Sequence, residues 1–163
     1  MMIVISDTTP LIGLSMISRF DLLKTLFREI FIPSAVYNEI VVKGLGRFGV
    51  DEVVKAVADG WMQVANVTSD PLVTTLKVDL DEGEAEAIAL ALAKNADLLL
   101  LDERKARAKA KALGLEVTGT IGILLLAREK GISIDLQSEL KQLQNNGFRI
   151  SDSLIQKVVE ENP

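Results

Sequence analysis

The chain of 163 residues contains neither cysteine nor histidine. The absence of cysteine excludes disulfide bonds, a thiolate nucleophile and a thiolate zinc site. The absence of histidine excludes catalytic triads built on imidazole, histidine general bases and histidine metal ligands. Any catalysis must therefore depend on carboxylates, hydroxyls, lysine, arginine, tyrosine or a bound metal ion.

Aromatic residues and long apolar runs are also scarce. Only 4% of the residues are aromatic, and no apolar run reaches the roughly 18 residues of a membrane-spanning helix. The N-terminus lacks a basic stretch before its short apolar run, so no secretory signal is predicted. The other proportions, 48% hydrophobic and 25% charged, are typical of globular proteins. We expect one domain, residues 1–163, in the cytoplasm and without a membrane partner.

Segments rich in branched apolar residues alternate with helical patterns along the chain. The predicted strands are 2–6, 30–33, 61–67, 97–101 and 115–119. The predicted helices are 11–27 with a break near Ser18, 34–44, 49–60, 81–96, 103–114, 120–131, 135–146 and 151–161. This alternation predicts an α/β fold of three layers, a central parallel sheet with helices on both faces.

Four carboxylates lie where such a sheet would bring them together. Asp7 and Asp102 follow predicted strands, Glu39 lies in the helix after the second strand, and Glu84 opens the helix before "DLLLL". In open parallel sheets, ligands bind beyond the carboxyl ends of the strands. Four crowded carboxylates repel one another, and a divalent cation such as Mg²⁺ or Mn²⁺ removes that repulsion. The pattern indicates a metal site with oxygen ligands.

Each acid also has a purely structural interpretation. Asp7 and Asp102 could each cap the helix that follows. Glu39 could be a solvated residue on an amphipathic helix. Glu84 could simply favour the positive end of its helix. The shared location of the four acids is what favours the functional interpretation.

A basic segment follows the last of these acids. In "DERKARAKAK" (102–111), Arg104, Lys105 and Arg107 lie just beyond Asp102. The net charge of −5 does not indicate a nucleic-acid-binding protein, but these side chains could hold the phosphate backbone of a nucleic acid. The alternative is an ordinary solvated helix face.

Several motifs resemble those of a known family over nearly the whole chain. They are "VISDTTPLIGL", "IPSAVYNEI", "DEGEAEAIALAL", "LLLLDERKAR", "VTGTIGILLLA" and the final "LKQLQNNGFRISDSLIQKVV". With these motifs the sequence resembles the PIN-domain family of metal-dependent ribonucleases, and within it the bacterial and archaeal branch related to VapC-type toxins. The turn "NNGF" (145–148) we interpret only as a separator of the last two helices.

The resemblance implies an acidic metal site and a set of partners. The four family acids fall on Asp7, Glu39, Glu84 and Asp102, with Glu86 as a rival for Glu84. Glu at the third position departs from the Asp usual there, and the fourth acid lacks the Thr of the family's "T-x-D" pattern. Implied are a Mg²⁺ or Mn²⁺ cofactor, an RNA substrate, a small antitoxin protein and a homodimer.

Two threonines are expected to support the acids. Thr8 stands beside Asp7 where the chain turns, and Thr120 resembles a family position near the metal. A plain helix N-cap is the alternative for Thr120.

Two further functions compete with a nuclease. The first is a phosphoaspartate-type hydrolase or receiver, although "DTTP" lacks the second Asp that such a hydrolase usually carries two residues on. The second is a PIN-like interaction module that has lost catalytic activity, which the acidic net charge and the Glu at position 84 keep open.

Overall fold

A parallel sheet of five strands runs through the part of the chain that the computed structural model describes, residues 2–44, 47–67 and 70–163. The strands are β1 (Val4–Ser6), β2 (Ile30–Pro33), β3 (Met62–Ala65), β4 (Leu98–Leu100) and β5 (Val117–Thr118). Their order across the sheet is β3-β2-β1-β4-β5, and every neighbouring pair is parallel. This order differs from the 2-1-3-4-5 order of receiver proteins, which argues against that alternative.

Helices connect the strands and follow the last one. They are α1 (Thr8–Met16), α2 (Leu22–Phe27), α3 (Ser34–Tyr37), α4 (Val50–Asp59), α5 (Pro71–Leu76), α6 (Glu82–Ala93), α7 (Arg104–Ala112), α8 (Thr120–Glu129), α9 (Leu136–Asn145) and α10 (Asp152–Glu161). A π-helical segment, Asn38–Val42, continues directly from α3. Within the described residues, no helix is long and apolar enough to cross a membrane.

The sheet is covered on both faces, as the sequence predicts. Successive strand residues alternate between two cores, so Val4 and Leu100 pack on one side while Ile5 and Leu99 pack on the other. The first core includes buried residues of α1, α8 and α9, and the second is built largely on α6. The predicted three-layer α/β architecture is confirmed.

Some predicted element bounds were wrong for identifiable reasons. The break near Ser18 is confirmed by its left-handed backbone, with φ of 57°. However, α1 begins at Thr8 and accommodates Pro10 in its first turn, where backbone N–H groups have no helical partner. Helix α5 was missed because its six residues are too few to show a period. The predicted helix 34–44 changes to π-helical geometry after Tyr37.

The register of the central strands places the candidate site. Ser6 of β1 pairs with Leu100 of β4, and the Asp7 backbone N–H donates to the Leu100 carbonyl oxygen at 2.9 Å. The residues after β1 and β4 therefore emerge side by side at the carboxyl edge of the sheet. Strand β2 borders β1 on its other side, so the segment that carries Glu39 leaves from the same edge.

Candidate active site

Asp7 is a buried carboxylate at the end of the central strand. It occupies the N-cap position of α1 with extended backbone, but its side chain accepts no capping hydrogen bond. Asp7 is only 4% exposed to solvent. Burial raises the pKa of Asp7 well above the ordinary value; the Thr8 backbone N–H partly offsets this, and the charges of Asp81, Glu84 and Glu39 raise it further. The helix-capping interpretation is therefore not supported, and Asp7 faces uncompensated negative charge.

Glu39 contacts Thr8, the residue after Asp7, at the carboxyl edge of the sheet. Thr8 Oγ1 donates to Glu39 Oε2 at 3.1 Å, so the Thr8 hydroxyl contacts the second predicted acid and not the adjacent Asp7. Partial burial raises the pKa of Glu39, the Thr8 hydrogen bond lowers it, and Asp81 raises it again. Glu39 lies in the π-helical segment, a geometry that is frequent at functional sites. It is exposed, but it is not an isolated solvated residue.

Gly83 marks the point where carboxylates from different elements converge. A Cβ atom placed on Gly83 would lie 3.2 Å from Asp7 Oδ1, 3.2 Å from Glu39 Oε2 and 3.6 Å from Asp81 Oδ1. Glycine at this position thus lets carboxylate oxygens of three elements approach the first turn of α6 more closely than a larger residue would allow. Carboxylate oxygens are hard ligands of the kind that Mg²⁺ and Mn²⁺ prefer.

Glu84 and Asp81 form the start of α6. The Glu84 backbone N–H donates to Asp81 Oδ1 at 2.8 Å, and Glu84 Oε1 accepts from the Asp81 backbone N–H at 3.1 Å. This is a capping box, a hydrogen-bonded structural role that the sequence analysis did not foresee for Glu84. Burial raises the pKa of Glu84, its hydrogen bond lowers it, and the nearby acids Asp81, Glu103 and Glu39 raise it. Glu84 therefore both caps the helix and adds charge to the acidic edge.

The predicted helix 81–96 begins at Asp81, which is the N-cap residue of α6. That position is confirmed, but its charge also raises the pKa of Asp7, Glu39 and Glu84. A residue's neighbours across a sheet edge are not visible in its local sequence, which is why this second contribution was missed.

Glu86, the rival for the third acid, contacts a different element. Its Oε1 accepts from the Ala35 backbone N–H at 3.1 Å, at the start of α3, and the residue is 1% exposed. Burial raises the pKa of Glu86, and the Ala35 hydrogen bond partly offsets this. The carboxylate thereby joins α6 to α3 and is not directed at Gly83.

Asp102 follows β4 and is held by Thr120. The Thr120 backbone N–H donates to Asp102 Oδ1 at 2.8 Å, and Thr120 Oγ1 donates to Oδ2 at 2.7 Å. Burial raises the pKa of Asp102, whereas the Thr120 hydrogen bonds and the Arg107 charge lower it. Helix α7 is capped by Glu103, so the capping alternative for Asp102 was wrong.

Thr120 is the first residue of α8 and not its N-cap. Gly119 occupies the N-cap position, so the plain capping alternative for Thr120 was also wrong. A Cβ atom on Gly119 would lie 2.5 Å from Asp102 Oδ1 and 2.9 Å from Arg107 Nη1. Glycine at this position is what lets Asp102, Thr120 and Arg107 pack together.

The three basic side chains predicted to contact RNA, Arg104, Lys105 and Arg107, do not lie together. Arg104 and Arg107 line a cleft of about 630 Å³ together with Asp102. Lys105 lies elsewhere on α7, with its Nζ 3.8 Å from Asp79 Oδ1. Two of the three side chains are therefore beside a predicted acid, and the third is paired with another acid.

Two residues of this cleft were missed by sequence reasoning. Phe148 and Arg149 line it from the turn between α9 and α10, about 46 residues after Asp102 along the chain. The "NNGF" turn does separate the two helices, but it also forms one wall of the cleft. A turn signal predicts a change of direction and not which distant surface the turn contacts.

The acids at the carboxyl edge do not form one ready-made metal cage. Asp7, Glu39 and Asp81 surround Gly83, whereas Asp102 is held toward Thr120. Over the described ranges, no group of three or more acidic side chains is arranged to bind a metal ion. The oxygen donors beside Gly83 fit a hydrated divalent cation held by few protein atoms, as is usual for Mg²⁺.

Comparisons with known proteins agree with this architecture. Residues 3–162 match the model of the family DUF3368, described as a PIN domain. A PilT N-terminus domain protein from the hyperthermophilic archaeon Sulfolobus solfataricus P2 has a similar structure, with a TM-score of 0.58 and 20% sequence identity. The likeness covers 77% of this chain and 93% of that one. The comparison with curated proteins gave no match.

The chain belongs to the PIN-domain family, because the family model spans nearly its whole length. The resemblance inferred from the sequence is confirmed at that level, and the likeness to the archaeal structure supports the fold. PIN domains are generally nucleases and usually use divalent metal ions.

Proposed function

We propose that this protein is a Mg²⁺- or Mn²⁺-dependent endoribonuclease of the VapC-related branch. The observation that carries the proposal is the environment of Asp7. A buried carboxylate at the carboxyl edge of a parallel sheet is surrounded by the charges of Asp81, Glu84 and Glu39. Such an arrangement destabilises the ion-free protein, and a bound divalent cation would relieve that repulsion.

The side chains have distinct proposed roles. Asp7 and Glu39, whose oxygens both lie close to Gly83, would hold the cation directly. Glu84, whose carboxylate belongs to the capping box of α6, and Asp102, both of whose oxygens accept from Thr120, would act through water. When bound, the cation would activate a water molecule and neutralise charge on the phosphodiester. Since no protein nucleophile is needed, the absence of histidine and cysteine does not prevent this chemistry.

Positioning residues hold two of these acids in place. Thr8 donates to Glu39 and Thr120 donates twice to Asp102. Arg104 and Arg107 beside Asp102 would hold the RNA backbone. Lys105 would contribute only after leaving its contact with Asp79.

The chemistry of the product ends tests the proposal. Single-stranded RNA is incubated with the purified protein and Mn²⁺, Mg²⁺ or EDTA, and the fragment termini are analysed. Attack by water leaves the RNA 2′-hydroxyl unused, so we expect metal-dependent fragments without 2′,3′-cyclic phosphate. Fragments that form in EDTA or carry cyclic phosphate would identify another ribonuclease and contradict the proposal.

A catalytically inactive PIN-like interaction module is the second candidate. Glu84 and Asp102 both carry structural hydrogen bonds, which is the observation in its favour. Absence of cleavage with either metal, together with absence of Mn²⁺ binding in calorimetry, would favour this module over the nuclease.

The biological setting is also proposed from the family resemblance. The protein would be a cytoplasmic toxin that acts as a homodimer and is neutralised by a small antitoxin protein. An arginine of that antitoxin, placed among the carboxylates, would block the site through charge-assisted hydrogen bonds. Growth arrest upon expression, relieved by Asp7→Asn, tests toxicity, and light scattering tests the homodimer.

A further inference from the structure

A positively charged cleft borders Asp102 in a chain whose net charge is −5. Arg104, Arg107 and Arg149 line it, and apolar residues of α1 and α8 form much of its wall. Of its two acids, Asp102 is held by Thr120, and Glu103 caps α7 by accepting from the Ala106 backbone N–H at 2.8 Å. The cleft therefore offers guanidinium groups above an apolar floor.

The turn that presents Phe148 and Arg149 is held rigidly. Gly147 has a left-handed backbone with φ of 98° and donates to the Gln144 carbonyl at 3.1 Å. The Phe148 backbone N–H donates to the Leu143 carbonyl at 2.9 Å, which completes a Schellman motif after α9. Glycine at position 147 is what this motif requires.

Two side chains fasten the same turn at its ends. Gln144 Nε2 donates to the Ile150 carbonyl at 2.9 Å, and Asn146 Nδ2 donates to the Met16 carbonyl of α1 at 3.4 Å. The turn is thereby fixed both to itself and to the opposite wall of the cleft, so its side chains need little ordering when a ligand binds.

The Phe148 ring lies close to Thr120, the residue that holds Asp102. Its Cε2 atom is 2.9 Å from where a Cβ atom on Gly13 would stand, so the ring covers the bare backbone of α1. The same point is 3.2 Å from Thr120 Oγ1, the hydroxyl that holds Asp102. An aromatic face and a predicted acid thus share one small region.

We propose that this cleft binds a nucleotide adjacent to the cleaved phosphodiester of single-stranded RNA, with its base stacked on Phe148. Arg149 and Arg104 contact the neighbouring phosphates, and Arg107 lies nearest to Asp102. The proposal rests on the ribonuclease function proposed above and names the part of the substrate that the cleft recognises.

The combination of groups selects this occupant. Arginines alone would bind any anion, including an acidic peptide. The aromatic ring and apolar floor add a surface for a flat base, and stacking on an aromatic side chain tolerates every base. Arg104 and Arg149 are exposed, and none of the ion pairs between described residues uses them, so both remain available for phosphates.

Binding without cleavage isolates the cleft from the metal site. Fluorescence anisotropy with labelled single-stranded RNA in EDTA compares the wild type with Phe148→Leu, Phe148→Tyr and Arg149→Gln. The charge control is Lys130→Gln, at the opposite end of α8 from Thr120. We expect Phe148→Leu to weaken binding about tenfold, and Phe148→Tyr to bind like the wild type. Arg149→Gln should reduce the salt slope by about one, whereas Lys130→Gln should leave binding unchanged.

An abasic position in the RNA identifies the base that stacks on Phe148. In oligonucleotides with one abasic position moved along the chain, one position should weaken wild-type binding but have no further effect on Phe148→Leu. Additive losses at every position would contradict the proposal, as would wild-type affinity in Phe148→Leu. A short polyglutamate peptide bound as tightly as the RNA would also overturn it. Thermal unfolding checks that each variant is folded, and the abasic scan on the wild type together with Arg149→Gln keeps the test decisive if Phe148→Leu unfolds.

The outcome is separable from that of the proposed function. Loss of stacking with intact metal-dependent cleavage would refute only this cleft. Normal stacking without cleavage in either metal would refute the nuclease and leave an RNA-binding PIN domain. Failure of the wild type to bind single-stranded RNA, in EDTA and in Mg²⁺, would refute the cleft's role directly.

Discussion

Thr120 holds Asp102 with both its backbone N–H and its hydroxyl, at 2.8 and 2.7 Å. The two hydrogen bonds occupy one carboxylate oxygen each and fix the plane of the carboxylate. They also join the loop after β4 to the first residue of α8. Because of this relationship, Thr120 can be tested as a positioning residue without altering any acid.

Thr120→Val should keep the backbone hydrogen bond and lose the one from the hydroxyl. We expect kcat for RNA cleavage to fall about tenfold with KM nearly unchanged, a loss typical of residues that orient metal-site ligands. Thr120→Ser restores the hydroxyl and should restore kcat. Steady-state kinetics on one RNA substrate gives both values. An unchanged kcat in Thr120→Val would show that the Thr120 hydroxyl does not position Asp102 for the reaction.

Gly83→Ala should separate folding from metal binding. The new methyl group would stand 3.2 Å from both Asp7 Oδ1 and Glu39 Oε2, in the space proposed for the cation. Alanine is favoured over glycine in helices, so the temperature of unfolding without metal should be close to that of the wild type. Titration calorimetry should show much weaker Mn²⁺ binding. Wild-type Mn²⁺ affinity in this variant would show that the cation binds elsewhere.

Asp7→Asn and Asp102→Asn should change the stability of the metal-free protein in opposite directions. Asp7 faces three acids and accepts no capping bond, so loss of its charge should raise the temperature of unfolding at neutral pH. An amide at position 102 would turn the Thr120 hydroxyl into an acceptor and leave its buried O–H proton without the carboxylate, which should cost about 1–3 kcal/mol. Scanning calorimetry in EDTA measures both, and parallel shifts would contradict this account.

The pH dependence of stability follows from the raised pKa of Asp7. Between the ordinary aspartate pKa and the raised native value, the native protein binds more protons than the unfolded chain. The free energy of unfolding of the metal-free protein should therefore decrease as pH rises through this interval. Asp7→Asn should make that decrease shallower in urea denaturation at several pH values. An identical slope in the variant would show that Asp7 has no raised pKa.

Glu84→Gln and Glu86→Gln should differ in activity. Each glutamine keeps an oxygen that can accept the existing backbone hydrogen bond, so both proteins should fold. Glu84→Gln removes charge from the acidic edge and should strongly reduce RNA cleavage, whereas Glu86→Gln should retain most of it. The reverse order of effects would assign the third acid to Glu86. If both variants keep wild-type activity, the site has only three acids, Asp7, Glu39 and Asp102.

Much of this fold follows from local sequence patterns. Apolar runs such as "IFIP" and "DLLLL" predict strands because no other element suits so short a buried segment, and β2 begins and ends as predicted. The parallel arrangement then brings Asp7 and the Glu39 segment to one edge by topology alone. The sequence alone therefore predicts the approximate position of these acids in the fold.

The details of the site depend on contacts that local patterns do not encode. Glu84 and Glu86 have equivalent sequence surroundings, yet one caps its own helix and the other contacts Ala35. Phe148 reaches the cleft because α9, which precedes it, packs against α1. Lys105 resembles Arg107 in the sequence, but its position on α7 places it beside Asp79. Side-chain direction on a helix and long-range packing decided these outcomes.

The rate of Mn²⁺-dependent cleavage of single-stranded RNA by Asp7→Asn shows whether the carboxyl edge of the sheet is the catalytic site. The matched control is Asp59→Asn, since Asp59 ends α4 just before β3, at the opposite edge of the sheet, and loses only an exposed ion pair with Lys55. We predict that Asp7→Asn abolishes cleavage and that Asp59→Asn cleaves at the wild-type rate. Cleavage by Asp7→Asn at the wild-type rate would contradict a catalytic site at the carboxyl edge.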